Sequence, residues 1–299
     1  MRQIFGVKII SASYQCHSIT AGHTHIRQEM QYPHLKKAAA SQILGRGGFG
    51  IVYQGEHNNA RVAIKRIELL RTEDHVRNPT EEERMMRCDH SNVLKVFAVD
   101  QDDDFKYIVL ELCQSTLHDY IIRKYTGSTM PSELDALHQM ACGLQHIHTV
   151  AVLVHRDISA QNVLIQSREG FPTVLKISDF GFCKPATERG SFSISKSGTG
   201  TTHFIAPELL IDNQLRGQRG TIACDVFSLG CVFYRFLTMG RHPFSTGDEL
   251  TITLNIREGN HNLNGLNEDH FAREIIKEMI QLEPSKRPNI TAVVDRLSA

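Results

Sequence analysis

The chain has 299 residues, and its 33 Lys and Arg are balanced by 33 Asp and Glu, so bulk charge gives no reason to expect a nucleic-acid or anionic-surface binder. That length supports one large domain or two lobes. The seven cysteines are scattered without a C-x-x-C pair, the pattern of reduced thiols rather than of a disulfide frame or zinc site.

The most apolar stretch, 226–236, contains Arg235 and falls far short of the ~20 residues that span a bilayer. The run at 4–10 is broken by Lys8 and does not read as a signal peptide. An intracellular, cytoplasmic protein with no membrane span is therefore expected. The pairs His23/His25 and His146/His148 stand two apart, which on a helix puts the rings on different faces, so neither is read as a metal site.

In chain order, residues 1–40 carry no clear periodicity and are taken as an undefined extension before a folded domain over 41–299. Ile51-Val52-Tyr53 and Val62-Ala63-Ile64 read as strands joined through His57-Asn58-Asn59, a hairpin turn. A helix is expected at 81–87. Two more strands are expected at 93–99 and 107–112, either side of Asp102-Asp103-Asp104. The first lobe, about 41–112, is thus a small antiparallel sheet with one main helix. The second, about 113–299, is larger and helical. Ser132 caps a helix with an apolar stripe of Leu134, Leu137, Ala141 and Leu144. Residues 222–237 are apolar nearly all round, the mark of a buried helix. A further amphipathic helix is expected at 271–282, stopped by Pro284.

Gly45-Arg46-Gly47-Gly48-Phe49-Gly50-Ile51-Val52 fits G-x-G-x-x-G-x-V. Alone this is weak, because dinucleotide-binding folds share the glycines. Those folds place a helix directly after them, whereas here a strand continues. A glycine-rich hairpin can lay backbone N–H groups over phosphates. Lys65, on the next strand, would neutralise α- and β-phosphate charge, with Glu82 as the carboxylate that holds it. His155-Arg156-Asp157 opens a loop that ends at Asn162. Asp157 would accept or orient the proton of an attacking hydroxyl, and Asn162 and Asp179 would hold Mg2+. Phe180 would pack under the helix carrying Glu82. Ala206-Pro207-Glu208 closes the segment that begins at Asp179, with Arg287 as the partner of Glu208. Asp225 would anchor the loop backbone.

In this order the motifs resemble the protein kinase superfamily across about 41–299, and imply its α+β bilobal fold with an ATP cleft between the lobes. Within it, Cys88-Asp89-His90-Ser91-Asn92-Val93, Tyr107-Ile108-Val109-Leu110-Glu111-Leu112-Cys113, Ser178-Asp179-Phe180-Gly181-Phe182-Cys183-Lys184 and the stretch from Asp225 to Tyr234 resemble the kinase domain of the inositol-requiring-enzyme family of endoplasmic-reticulum stress sensors. The resemblance implies that Leu44, Gly45, Gly47 and Gly50 cover the nucleotide and that Val52, Ala63 and Leu164 sandwich its ring. It implies that Leu110 is the gatekeeper and that Glu111 and Cys113 offer backbone groups to adenine. It also implies autophosphorylation at Ser191 and Ser193, with Ser195 and Ser197 flanking the position of a third serine. Protein substrates, the chain itself among them, follow from the same resemblance, as does a homodimer or a pairing with a full-length relative.

Two departures shape the expectations. The likeness contains no sensor, membrane span or ribonuclease domain, so no ribonuclease activity and no nucleic-acid partner is expected. Ser159 stands where serine/threonine kinases carry a lysine that touches the transferring phosphate. Three readings stay open: an active serine/threonine kinase, as Gly200-Thr201-Thr202-His203-Phe204-Ile205 suggests; an ATP-binding pseudokinase acting as scaffold or dimerisation switch; and a fragment that works by pairing with a relative.

Overall fold

Asn58 and Asn59 set the first hairpin. Both sit at positive φ, 51° and 61°, the backbone a two-residue hairpin turn requires and one that asparagine tolerates. They join β2 (Gly50–His57) to β3 (Ala60–Glu68). β1 (Ile43–Gly47) pairs with β2, β5 (Phe105–Glu111) pairs with β3, and β4 (Val96–Gln101) forms the edge. The resulting antiparallel sheet has the order β1-β2-β3-β5-β4. The computed structural model of the chain describes residues 35, 42–47, 50–69, 86, 88–187, 190–193, 202–210 and 219–299.

Alternation along β3 gives the sheet two faces. Val62 and Ile64 pack with Ala98, Tyr107 and Val109 into one apolar core. Lys65 and Ala63 therefore point the other way. Leu35 belongs to the same core and is fully buried. Leu35, which falls in the segment expected to be an undefined extension, thus contributes its side chain to the first-lobe core. Met86 is helical; the rest of the helix expected at 81–87, Glu82 included, lies outside the described residues.

The strand expected at 93–99 begins at Val96 instead. Val93 makes a parallel bridge to Ile177 of the second lobe, where Leu94 N–H donates to the Ile177 carbonyl at 2.8 Å and Ile177 N–H to that of Asn92 at 2.9 Å. An apolar run shows burial but not which sheet it joins, and here the run divides between two.

The second lobe opens with β6 (Ser115–Thr116) and α1 (Leu117–Ile121), then α2 (Glu133–Thr149), β7 (Leu153–Val154), β8 (Val163–Gln166) and β9 (Val174–Ile177). β10 (Lys184–Pro185) pairs with β7, and β11 (Ser191–Ser193) pairs with β12 (Arg219–Thr221). α3 (Ala223–Leu237), α4 (Ile252–Glu258), α5 (Arg273–Met279) and α6 (Ile290–Ser298) complete it. This is the expected bilobal α+β architecture. Ser132 caps α2 by accepting from Asp135 N–H. Leu137, Ala141 and Leu144 face the core, but Leu134, in the first turn, is exposed. The helix expected at 271–282 is shorter, Arg273–Met279, because turns occupy both flanks. Among the described residues no helix is long and apolar enough to cross a membrane.

α3 runs through the centre of the second lobe. Phe227 stacks on Phe244 with centroids 5.6 Å apart, and the Arg287 guanidinium lies 5.0 Å from its ring centroid. A Cβ on Gly230 would meet Ile280 and Met279 at 2.9 Å, so only glycine lets α5 approach this closely.

At the head of α3, the buried Asp225 accepts from His155 N–H at 2.7 Å, Arg156 N–H at 2.8 Å and His148 Nε2–H at 2.8 Å. Arg156 sits at φ 70°, and the two main-chain bonds hold it in that unfavourable conformation. Burial by itself would raise the Asp225 pKa. The His148 hydrogen bond and nearby histidines, with the Arg156 N–H, outweigh it and hold the pKa below its ordinary 3.8. A depressed folded pKa means that this stabilisation is fully present above 3.8 and is lost as pH falls through the lower folded value.

Two variants test these anchors. Leu35→Ala should cost about 2–5 kcal/mol in urea unfolding, as for other buried leucines; a change under about 0.5 kcal/mol would place Leu35 outside the core. Asp225→Asn should cost about 3–5 kcal/mol, because an amide cannot serve all three donors. It should also flatten the acid limb of the stability profile below pH 3.8. An unchanged acid limb would mean that another carboxylate governs it.

Candidate active site

The site gathers where the first-lobe sheet faces the loop between β7 and β8. Gly45 and Val52 are register partners, as are Gly47 and Gly50. Gly50 sits at φ 116°, and a Cβ there would lie 2.1 Å from the Arg66 carbonyl. A Cβ on Gly45 would meet no atom of the described residues within 4 Å, so the space beside Gly45 is open among them. Val52 stands directly opposite Lys65 on β3, which places both on one face, and Ala63 shares that face. Leu44 is exposed; Leu164, on β8, is half-buried. Leu110 and Glu111 end β5, and Cys113 follows as the chain crosses to β6. Burial, with the Glu111 charge beside it, pushes the Cys113 thiol up to about 12. It is therefore a neutral thiol with no nucleophilic character at physiological pH.

Lys65 is buried, and its Nζ lies 2.6 Å from Asp179 Oδ1. Asp179 is itself in the left-handed region, φ 64°, and its Oδ1 also accepts from Gly181 N–H at 3.2 Å. Asn162 Nδ2 donates to both the carbonyl and Oδ2 of Asp157, each at 2.8 Å. The Asn162 carbonyl accepts from Ser178 N–H at 2.8 Å and Ser178 Oγ at 2.9 Å, so the Asp157–Asn162 loop is tied to the residue before Asp179.

His155 supports this arrangement from below. Its Nδ1 accepts from Asp157 N–H at 3.3 Å, and its Nε2 faces the Ser178 carbonyl at 2.9 Å. That pattern requires the neutral tautomer with the proton on Nε2. Complete burial agrees, holding the imidazole below its ordinary pKa. Phe180 packs beside the ring, centroids 5.7 Å apart. The helix that Phe180 is expected to support lies outside the described residues, as does the expected Lys65–Glu82 pairing.

The donor set suits a hard divalent cation. Asn162 spends its N–H donors on Asp157, which leaves its amide oxygen as the group to offer a cation, and Asp179 has a second carboxylate oxygen. Both are oxygen ligands of the kind Mg2+ takes, with substrate phosphates and water filling the rest of an octahedral shell. Among the described residues no three His, Cys, Asp or Glu side chains converge, so a cation here would depend on ligand oxygens.

Ser159 sits on this loop but does not open onto the cleft. It is fully buried, and its hydroxyl has no hydrogen-bond partner among the described residues. On the other side, Arg287 grips Glu208 with two hydrogen bonds, 2.7 and 2.8 Å, as the motif pattern predicts.

Ser191 and Ser193 lie in β11, held in register against Thr221 and Arg219. Ser195 and Ser197 lie outside the described residues. Between the first two, Phe192 is buried, and the Arg156 guanidinium lies 5.3 Å from its ring centroid. Arg156 Nη1 also donates to the Phe182 carbonyl at 3.3 Å. Sequence reasoning missed Phe192. Its only sign was a lone aromatic between serines, which reads equally well as a loop residue.

The protein kinase domain family matches residues 39–297. The chain is 36% identical over 267 residues to the serine/threonine-protein kinase/endoribonuclease ire-1 of Caenorhabditis elegans, covering 85% of this chain and 26% of that protein. It is 37% identical over 268 residues to IRE2 of Homo sapiens, 84% and 27%. Against the sensor for unfolded proteins in the ER, ire1, of Schizosaccharomyces pombe it is 32% identical over 284 residues, 85% and 26%. The chain thus spans about a quarter of the length of these curated relatives. The glycine hairpin, the Lys65–Asp179 pair, the tied Asp157–Asn162 loop and the domain-wide match together place the chain in the protein kinase family.

Proposed function

We propose that this domain is an ATP-dependent serine/threonine protein kinase that transfers the γ-phosphate to protein hydroxyls, its own 191–199 segment among them. The observation that carries this reading is the joint placement of Lys65, Asp179, Asn162 and Asp157 through hydrogen bonds of 2.6–2.8 Å. Lys65 would bind the α- and β-phosphates, and the Gly45–Gly50 hairpin would cover them. Asn162 and Asp179 would hold Mg2+, which when bound neutralises phosphate charge. Asp157, steadied by Asn162, would orient the acceptor hydroxyl and take up its proton. Glu111 and Cys113 would offer backbone groups to adenine, with Val52, Ala63 and Leu164 about the ring and Leu44 at its edge. Glu82 would hold Lys65 in the working state.

The name of one relative, a sensor for unfolded proteins, supports a further proposal, that this kinase answers unfolded-protein stress. An intracellular location, protein substrates and action as a homodimer or paired with a longer relative are proposed from the motif resemblance alone. A second reading, the ATP-binding pseudokinase, is favoured by Ser159, whose buried hydroxyl supplies no charge where a lysine would help stabilise the transferring phosphate.

One experiment separates the two. The wild type, Asp157→Asn and Ser159→Lys are incubated with labelled ATP and magnesium under single-turnover conditions, and phosphorylated residues are mapped. The wild type should label slowly within 191–199, and Asp157→Asn should not label. A lysine stem can carry its ammonium from the buried backbone to the cleft, so Ser159→Lys should react faster, by up to about 10²-fold. Overpacking should cost it about 1–3 kcal/mol of stability. If Ser159→Lys is no faster while Asp157→Asn is inert, another cation already serves the phosphate. If all three bind ATP and none transfers phosphate, the pseudokinase reading stands.

A further inference from the structure

We propose that Lys176 is a positioning residue for the nucleotide: its buried ion pair with Glu111 latches the hinge to the strand that leads into Asp179, and so fixes the width of the cleft. This rests on the ATP reading above. Lys176 is on β9, directly opposite Leu164 on β8, so its side chain shares the face on which Leu164 meets the ring. Its Nζ lies 3.1 Å from Glu111 Oε2 and donates to the Ser91 carbonyl at 2.7 Å. The two side chains are 7% and 16% exposed, so water screens the pair little.

The same carboxylate collects further bonds. Gln166 Nε2, from β8, donates to Glu111 Oε1, and Lys95 N–H reaches Oε2 at 3.5 Å. Glu111 N–H donates to the Lys95 carbonyl at 2.9 Å. The 91–95 segment is already docked on the second lobe through Leu94 N–H to Ile177, and Gln114 N–H joins Ile165 at 3.1 Å. Glu111 is thus held between the end of the first-lobe sheet, the 91–95 segment, β8, which carries Leu164, and β9, which leads into Asp179. A shift of the hinge would pull this carboxylate off Lys176 and leave two charges buried apart.

Breaking a buried pair by removing one partner strands the other charge, whereas replacing both with apolar groups of similar size is often neutral. The latch therefore predicts a non-additive pattern. Lys176→Met, Glu111→Leu and the double variant are compared with the wild type. Mg-ATP affinity is measured by calorimetry, and amide exchange at 91–95 and 107–115 is followed without nucleotide. Melting temperature confirms folding, and Glu111→Gln, which keeps the shape and removes the charge, replaces any single variant that does not fold.

Lys176→Met should bind Mg-ATP about tenfold more weakly, a coupling of the size that remote contacts carry. Exchange at the hinge should quicken. The double variant should bind no more weakly than the weaker of the two single variants, because either substitution already opens the latch and neither charge is then left alone. Wild-type affinity and wild-type hinge exchange in a folded Lys176→Met, even with a lower melting temperature, would overturn the proposal, because the pair would then be structural only. A double variant as weak as the sum of the singles would overturn it too. A wild type that binds no Mg-ATP would instead defeat the kinase reading, and the positioning role with it.

Discussion

A single buried carboxylate decides the geometry on which the site depends. Asp225 is fixed by the most deeply buried helix of the second lobe, yet its oxygens hold the backbone of His155 and Arg156, the residues leading into Asp157. The strained turn at Arg156 is thereby the low-energy local choice. His155 then passes the constraint on: one ring nitrogen takes the Asp157 N–H, the other gives its proton to Ser178, next to Asp179. Asp157 and Asp179 are positioned from one origin, through bonds that each close a buried polar group. Proteins build such chains where a few tenths of an ångström matter, because packed helices deform less than loops do.

The segment beyond Asp179 is held by a different force. Arg156 meets the face of Phe192, and β11 is paired with β12, which leads straight into α3. A cation over an aromatic ring is worth about 0.5–2 kcal/mol depending on solvation. Charge-assisted bonds to a phosphate are roughly twice as strong as neutral ones. A phosphate on a neighbouring serine could therefore compete for Arg156 without dismantling the loop behind it, since Asp225 holds the Arg156 backbone and Phe192 only its side chain. The ordering of this segment and the ordering of the catalytic loop are separable, which regulation by modification requires.

Much of this was legible in the sequence, for identifiable reasons. The Asn58-Asn59 turn, the Ser132 cap, the all-round apolar helix and the Glu208–Arg287 pair are local or charge-driven signals, and the structure contains each of them. What misled was partition between partners. Val93 looked like the start of a strand in the first lobe and is bridged to the second. Leu35 carried no periodic signal because one buried side chain makes no pattern. Phe192 and Lys176 were unreadable for a related cause: an aromatic in a serine-rich loop and a lysine on a strand both default to solvent, and only the fold supplies the guanidinium and the carboxylate that bury them.

Ser159 shows how far a motif can be read and where chemistry takes over. Spacing identifies it as the place of a missing lysine, and one would expect a small polar side chain there to face the phosphates. It is instead buried, with a hydroxyl that bonds to nothing described. Among the described residues this hydroxyl adds no bond that would stabilise the loop. Nor does it stand in for a cation. The loop keeps its shape through Asp225, His155 and Asn162, none of which needs a charge at residue 159. On the kinase reading proposed above, Asp157 would be placed by the backbone alone, while charge at the phosphates would fall to Lys65 and to the cation that accompanies the nucleotide.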